Sequence, residues 1–144
     1  MAIDKLSKSE LEILTVMWAA GRPLARSEVI ELSPNRSWKP SSIHILLNSM
    51  LEKNAIRVDG FVKTGTHYGR TFVPTLNEAQ YAADQIQQMD AFRKDQAGTV
   101  TRVFSALLDE SNLSDETYQE LEHLLQEKRT QKAKRSQKAK RSQK

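Results

Sequence analysis

From Trp38 to Asn54 the chain carries Ile43, Leu46, Leu47, Met50 and Leu51 at spacings of three and four residues, which gathers them on one face of a helix. Pro40 suits the first turn, where a missing N–H costs nothing, and Asn54 can end the helix in the left-handed conformation. Opposite the apolar stripe lie Ser41, Ile45, Asn48 and Glu52, with Ser42 and Ser49 on one shoulder and His44 on the other. Such a face has few charges for solubility, yet its short hydroxyls, amide and imidazole can meet base edges in a major groove. An ordinary amphipathic helix with a wet polar side is the competing reading, so the flanking segments decide.

Before this stretch, Ser7 and Glu10 form a capping box with Leu6 and Leu11 as its hydrophobic staple. Leu11, Leu14, Met17 and Trp18 give a first helix a buried stripe, and Gly21 and Pro23 end it. Arg26 to Leu32 predicts a short second helix, closed by the turn-rich Ser33-Pro34-Asn35-Arg36-Ser37. Helix, turn and the 40–53 helix make the order of a helix-turn-helix unit. After it, Ile56-Arg57-Val58 and Tyr68 to Val73 are β-prone, which predicts a hairpin in the place of a wing. The expected tip, Lys63 to His67, offers Lys63, Thr66 and His67, and Arg70 and Arg57 sit on the flanking strands where they can meet phosphates.

Charge divides the 144 residues into three parts. Residues 1–74 carry a net +3, residues 75–127 a net −8, and residues 128–144 nine Lys and Arg with no acid. Positive charge at the two ends suits phosphates, and the acidic middle suits a protein partner or water. The absence of cysteine excludes disulfides, thiol nucleophiles and thiolate metal sites, and fits a cytoplasmic protein. No run of about twenty apolar residues predicts a membrane span, and Met1-Ala2-Ile3-Asp4-Lys5 has no charged-then-apolar leader. His44, His67 and His123 lack triad partners, the five glycines form no phosphate loop, and His123 with Glu120 and Glu127 reads as a solvated charged face. Neither catalysis, a cofactor nor a metal is expected.

Leu11-Glu12-Ile13-Leu14-Thr15-Val16-Met17-Trp18 with Gly21 and Pro23-Leu24, then Trp38-Lys39-Pro40-Ser41-Ser42-Ile43 with Leu46-Leu47, then Gly69-Arg70-Thr71-Phe72-Val73-Pro74, resemble the penicillinase-repressor family of the BlaI and MecI type. The resemblance covers nearly all of residues 5–128. It implies a cytoplasmic bacterial repressor, dimeric through its C-terminal helices and seated on a dyad DNA operator. It also places the family's base-contacting helix on Ser41, Ser42, His44, Ile45, Asn48 and Ser49. Lys39 stands where the family commonly has a Ser cap, and Ser41 and Ser49 stand where it commonly has cations. Relatives released by proteolysis are cut at an Asn-Phe bond; the aligned pair here is Ala106-Leu107, and no Asn-Phe pair exists in the chain. Any upstream sensor or protease is therefore unassigned. The cysteine cluster of copper-responsive relatives is also absent.

Beyond Pro74 the pattern is helical throughout. Thr75 and Glu78 read as a capping box for a long helix with Tyr81, Ala82, Ile86, Met89 and Phe92 on one side, ending near Gly98. Thr99 opens the next, with Val100, Val103, Phe104, Leu107 and Leu108 inward, and Ser114 caps a last helix carrying Tyr118, Leu121, Leu124 and Leu125. These narrow stripes are too thin to hide themselves, so a second copy is expected to cover Tyr81, Ile86, Met89, Val103, Phe104, Leu107, Leu121, Leu124 and Leu125. The tail repeats Ala-Lys-Arg-Ser-Gln-Lys at 133–138 and 139–144 and has no apolar side chain larger than alanine, so disorder is its default, although the last helix can extend into it. The expected fold is mainly α (α+β). It comprises a winged helix-turn-helix over 1–74, a helical dimerisation domain over 75–128, and a basic tail over 129–144. A DNA-binding repressor contacting its operator through Lys39, Ser41, Ser42, His44, Ile45, Asn48, Ser49, Lys63, Thr66, His67 and Arg70 is the expected function. The alternative is a winged helix serving as a protein-interaction module.

Overall fold

The computed structural model describes residues 3–64 and 67–142, in two compact units that divide between Lys94 and Asp95. Ser7 caps α1 (Lys8–Ala20): its hydroxyl accepts from the Glu10 N–H at 3.2 Å, and the Glu10 carboxylate accepts from the Ser7 N–H at 2.8 Å. The expected capping box is thus present. Gly21 ends the helix at φ 64, a conformation its missing Cβ permits, and donates its N–H to the Met17 carbonyl. A two-residue strand, β1 (Leu24–Ala25), leads into α2 (Arg26–Glu31). A single 3₁₀ turn at Pro40–Ser42 starts the next helix, α3 (Ile43–Glu52), and Asn54 leaves it at φ 63 as its position foretold.

The hairpin follows as β2 (Ile56–Thr64) and β3 (His67–Pro74), and β1 pairs with the far edge of β3 to give the sheet order β1-β3-β2. Ile13, Leu14, Met17, Leu24, Val29, Ile43, Leu47, Met50, Ile56 and Phe72 are buried together. Three helices and a hairpin around one core are a winged helix-turn-helix. This core fixes the direction of α3, because burying Ile43, Leu47 and Met50 leaves the opposite side outward.

Glu10 does more than cap α1. Its carboxylate is almost fully buried and takes a 2.7 Å ion pair from Lys53 Nζ at the end of α3, tying the two helices together. Burial pushes its pKa up, but hydrogen bonds from Lys53, the Ser7 N–H, and the Ser49 and Ser7 hydroxyls outweigh that and lower it to about 2. A carboxylate depressed from about 4.5 contributes stability that is complete above its unfolded pKa and lost as pH falls toward the folded value. We therefore expect Glu10→Gln to lower unfolding free energy at neutral pH by up to about 3 kcal/mol. In urea titrations the gap between variant and parent should close as pH falls from about 4.5 to about 2.

The segment after β3 departs from expectation. α4 (Glu78–Gln87) is capped by Asn77 and Gln80, each side chain accepting the other's backbone N–H at 2.8 Å. Thr75 is diverted, its hydroxyl donating to the Asn54 carbonyl at 2.6 Å. α4 also belongs to the first unit: the Trp18 indole donates to the Leu76 carbonyl at 2.8 Å, and Tyr81 packs on the Trp18 ring at 5.7 Å. Asp84 accepts the Ile3 N–H, and Gln88 donates to the Ile3 carbonyl. The compact units therefore divide at Lys94 and not at Pro74.

No single helix runs to Gly98. α4 stops, α5 (Asp90–Lys94) forms a short turn of helix, and α6 (Gln96–Glu110) starts from Asp95, whose carboxylate accepts the Gly98 N–H at 3.0 Å. A Cβ at Gly98 would press on the side chains of Asp95 and Arg102, which would have to turn aside. Ser114 caps α7 (Asp115–Ser142), accepting the Thr117 N–H. The helix continues through most of the basic repeat, the extension that the sequence left open beside disorder.

Candidate nucleic-acid interface

With Ile43, Leu47 and Met50 turned to the core, α3 and the 3₁₀ turn before it expose Lys39, Ser41, His44, Ile45 and Asn48, while Ser42 is half-buried. Ile45 is 73 % exposed, an apolar side chain with no partner in the fold. Ser49 is the exception: it is half-buried, one turn before the Lys53 that pairs with Glu10 of α1, and so lies on the α1 side of the helix.

Register sets the wing. Phe61 lies opposite Arg70 and Lys63 opposite Tyr68, and directly paired residues share a face of the ladder. Phe61, Lys63, Tyr68 and Arg70 therefore project together, with Phe61 70 % and Tyr68 72 % exposed. A bulge between Val58 and Gly60 brings Asp59 out of step and lets this face continue from Phe72, which is buried in the core. Arg70 lies over the Phe72 ring at 5.3 Å, a cation–π contact that holds its guanidinium near α3. Thr66 and the side chain of His67 lie outside the described residues.

Helix and wing meet at a notch of about 50 Å³ lined by Arg26, His44, Leu47, Asn48, Arg70 and Phe72. Arg26 Nη1 sits 3.0 Å from Nδ1 and 2.7 Å from Nε2 of His44, where it can donate to whichever ring nitrogen carries a lone pair. The outcome is a continuous surface on which Asn48 and His44 are flanked by two guanidinium groups. The two cations that the family resemblance leads one to expect at positions 41 and 49 are serines; Arg26 from α2 and Arg70 from β3 bring charge to the outward surface beside α3.

Arg26, Phe61 and Tyr68 were not foreseen. The aromatic pair had a signal: Phe61 with Lys63, and Tyr68 with Arg70, are each two apart and so on one side of a strand. Arg26 had none, because its approach to His44 depends on how α2 packs on α3.

The residues expected at a dimer interface fall into two groups. In the first unit Tyr81 is committed to Trp18, Ile86 is half-buried and Met89 half-exposed. In the second unit Val103 and Leu121 are half-buried, and Phe104, Leu107, Leu124 and Leu125 are exposed, as are Val100 and Tyr118. His123 pairs with Glu127 at 3.0 Å, and no cluster of three metal-ligating side chains occurs among the described residues. Among the same residues no helix is long and apolar enough to cross a membrane.

The penicillinase repressor of Bacillus licheniformis is 26 % identical over 134 residues, spanning 90 % of this chain and 96 % of that protein. A 16.5 kDa protein of the ptsI 3′ region of Latilactobacillus sakei is 24 % identical over 124 residues, 85 % of this chain and 79 % of its own. The solution structure of the Bacillus licheniformis BlaI monomeric form in complex with the blaP half-operator matches 55 % of this chain and 90 % of its own, at 30 % identity and a TM-score of 0.40. The profile of the penicillinase repressor family, a family of repressors and not of enzymes, matches residues 6–127, and the chain belongs to that family.

Proposed function

We propose that this chain is a DNA-binding repressor that acts as a homodimer, reads a dyad operator with α3 and steadies it with the β2–β3 wing. The observation that carries the reading is the continuous outward surface of Ser41, His44, Ile45 and Asn48 with Arg26 and Arg70 beside it. Asn48 can pair bidentately with adenine, His44 can serve a base edge or a phosphate, and Ile45 can meet a thymine methyl. Lys39, Lys63 and the two guanidinium groups would neutralise phosphates and set the register without reading sequence. Family membership supports the same reading.

Dimerisation finds support in the second unit, where Val100, Phe104, Leu107, Tyr118, Leu124 and Leu125 remain uncovered in the single chain. A second copy would bury them and present two α3 helices to successive major grooves.

Fluorescence anisotropy tests the reading, using a duplex from the promoter of the chain's own gene and a scrambled duplex of equal composition. We expect a preference of roughly a thousandfold or more for the promoter duplex. Equal affinity for both would overturn it and favour a protein-interaction module. Arg70→Ala should weaken both duplexes by a similar factor and reduce the salt slope of binding by about one, as removal of a phosphate-binding cation does.

A further inference from the structure

The family match ends at Glu127, and the character of α7 changes there. Asp115 to Glu127 holds five acids, no Lys or Arg, and the apolar stripe of Tyr118, Leu121, Leu124 and Leu125. From Lys128 onward there are nine Lys and Arg, no acid and no apolar side chain larger than alanine. Every residue from Lys128 to Ser142 is exposed. Such a segment has nothing with which to extend a dimer interface or to enter a bilayer surface, where an apolar face is required.

The helix also stacks like charges. Lys128 with Lys132, and Lys134 with Lys138, are four apart; Lys132 with Arg135, Arg135 with Lys138, and Lys138 with Arg141 are three apart. Neighbouring cations at these spacings repel, so the helical form is favoured by a polyanion that lies along it. Lys128 to Ser142 spans about 22 Å of helix and carries eight of the nine cations. A duplex presents roughly a dozen phosphates over that length, a comparable density of opposite charge. Cations occur on several sides of the helix, which suits attraction to a backbone and not the reading of bases.

We infer that the basic second half of α7 is a separate, sequence-independent DNA-binding element that grips duplex backbone outside the site read by α3. It rests on the DNA-binding reading above. The element raises affinity for any duplex, holds the protein near its operator between specific encounters, and gives way as salt rises.

The test compares the full chain with a variant in which the Lys and Arg of residues 129–144 are changed to Gln, which keeps helix propensity and removes charge. Both are titrated with the promoter duplex and the scrambled duplex across a salt series. The slope of log affinity against log salt should be shallower in the variant by roughly three to seven, at about 0.9 for each phosphate no longer neutralised. Affinity for the scrambled duplex should drop at least ~10-fold at low salt, and the preference for the promoter duplex should survive. Unchanged slopes would overturn the inference, as would unchanged slopes accompanied by tail-dependent sedimentation with anionic phosphatidylserine vesicles. A preference absent from both proteins would instead overturn the repressor reading, whatever the slopes.

Discussion

Replacing Phe104 and Leu107 together by aspartate is expected to convert a dimer into a monomer and to lower affinity for the operator by about a thousandfold. Leu107 is 60 % exposed within the single chain, so a charge there costs the protomer's own fold little, whereas one at Phe104, 37 % exposed, costs it more, which a melting curve on the same samples measures. In the proposed dimer the charges would oppose association, because aspartates at a self-complementary interface would meet an apolar surface. Each winged helix alone then has only its own half-site, and the gain from tethering two on one duplex disappears. Sedimentation at micromolar concentration, with anisotropy on the same samples, reads both effects. A parent chain that is already monomeric, or a variant that stays dimeric, would remove the basis for a dyad operator.

The second large effect belongs to Asn48. Its carboxamide is exposed beside the notch shared by α3 and the wing, and makes no hydrogen bond to the fold among the described residues. Asn48→Ala should therefore leave the melting temperature unchanged and cost the promoter duplex about 10- to 100-fold in affinity, the worth of a bidentate base contact. Scrambled DNA should bind as before, because every phosphate partner is retained. An equal loss on both duplexes would mean that Asn48 touches the backbone and that the reading face lies elsewhere on α3.

The first unit was legible because local signals and tertiary packing agree there. Ser7 and Glu10, Gly21, Pro40 and Asn54 each act where their chemistry placed them, and the stripe of α3 faces the core. β1 was not legible, since a two-residue strand exists only because β3 offers its edge to Leu24 and Ala25. Gly98 misled for a related reason. Glycine usually marks a helix end, but here it sits in the first turn of one and gives its N–H to the Asp95 cap. Thr75 and Glu78 matched a capping pattern just as well as Asn77 and Gln80; what decided between them was the pull of Thr75 toward Asn54 and Ala55.

The proposed reading surface was legible in part, and the gaps share one cause. Ser41, His44, Ile45 and Asn48 follow from helical spacing alone, whereas Ser49 lies on the α1 side of the helix. Arg26 joined by the same route, through the packing of α2 beside α3. Tyr81 likewise looked available on its own helix and proved to be held by Trp18. Periodicity identifies which residues share a face; it does not say which neighbouring element has already claimed them.

Hydroxyl-radical footprinting of the full chain on its own promoter shows whether two α3 helices sit on one operator. Two protected tracts related by a dyad are expected, their centres about ten base pairs or a multiple apart, each weakened by Asn48→Ala. Uniform protection along the duplex, or none, would contradict that arrangement.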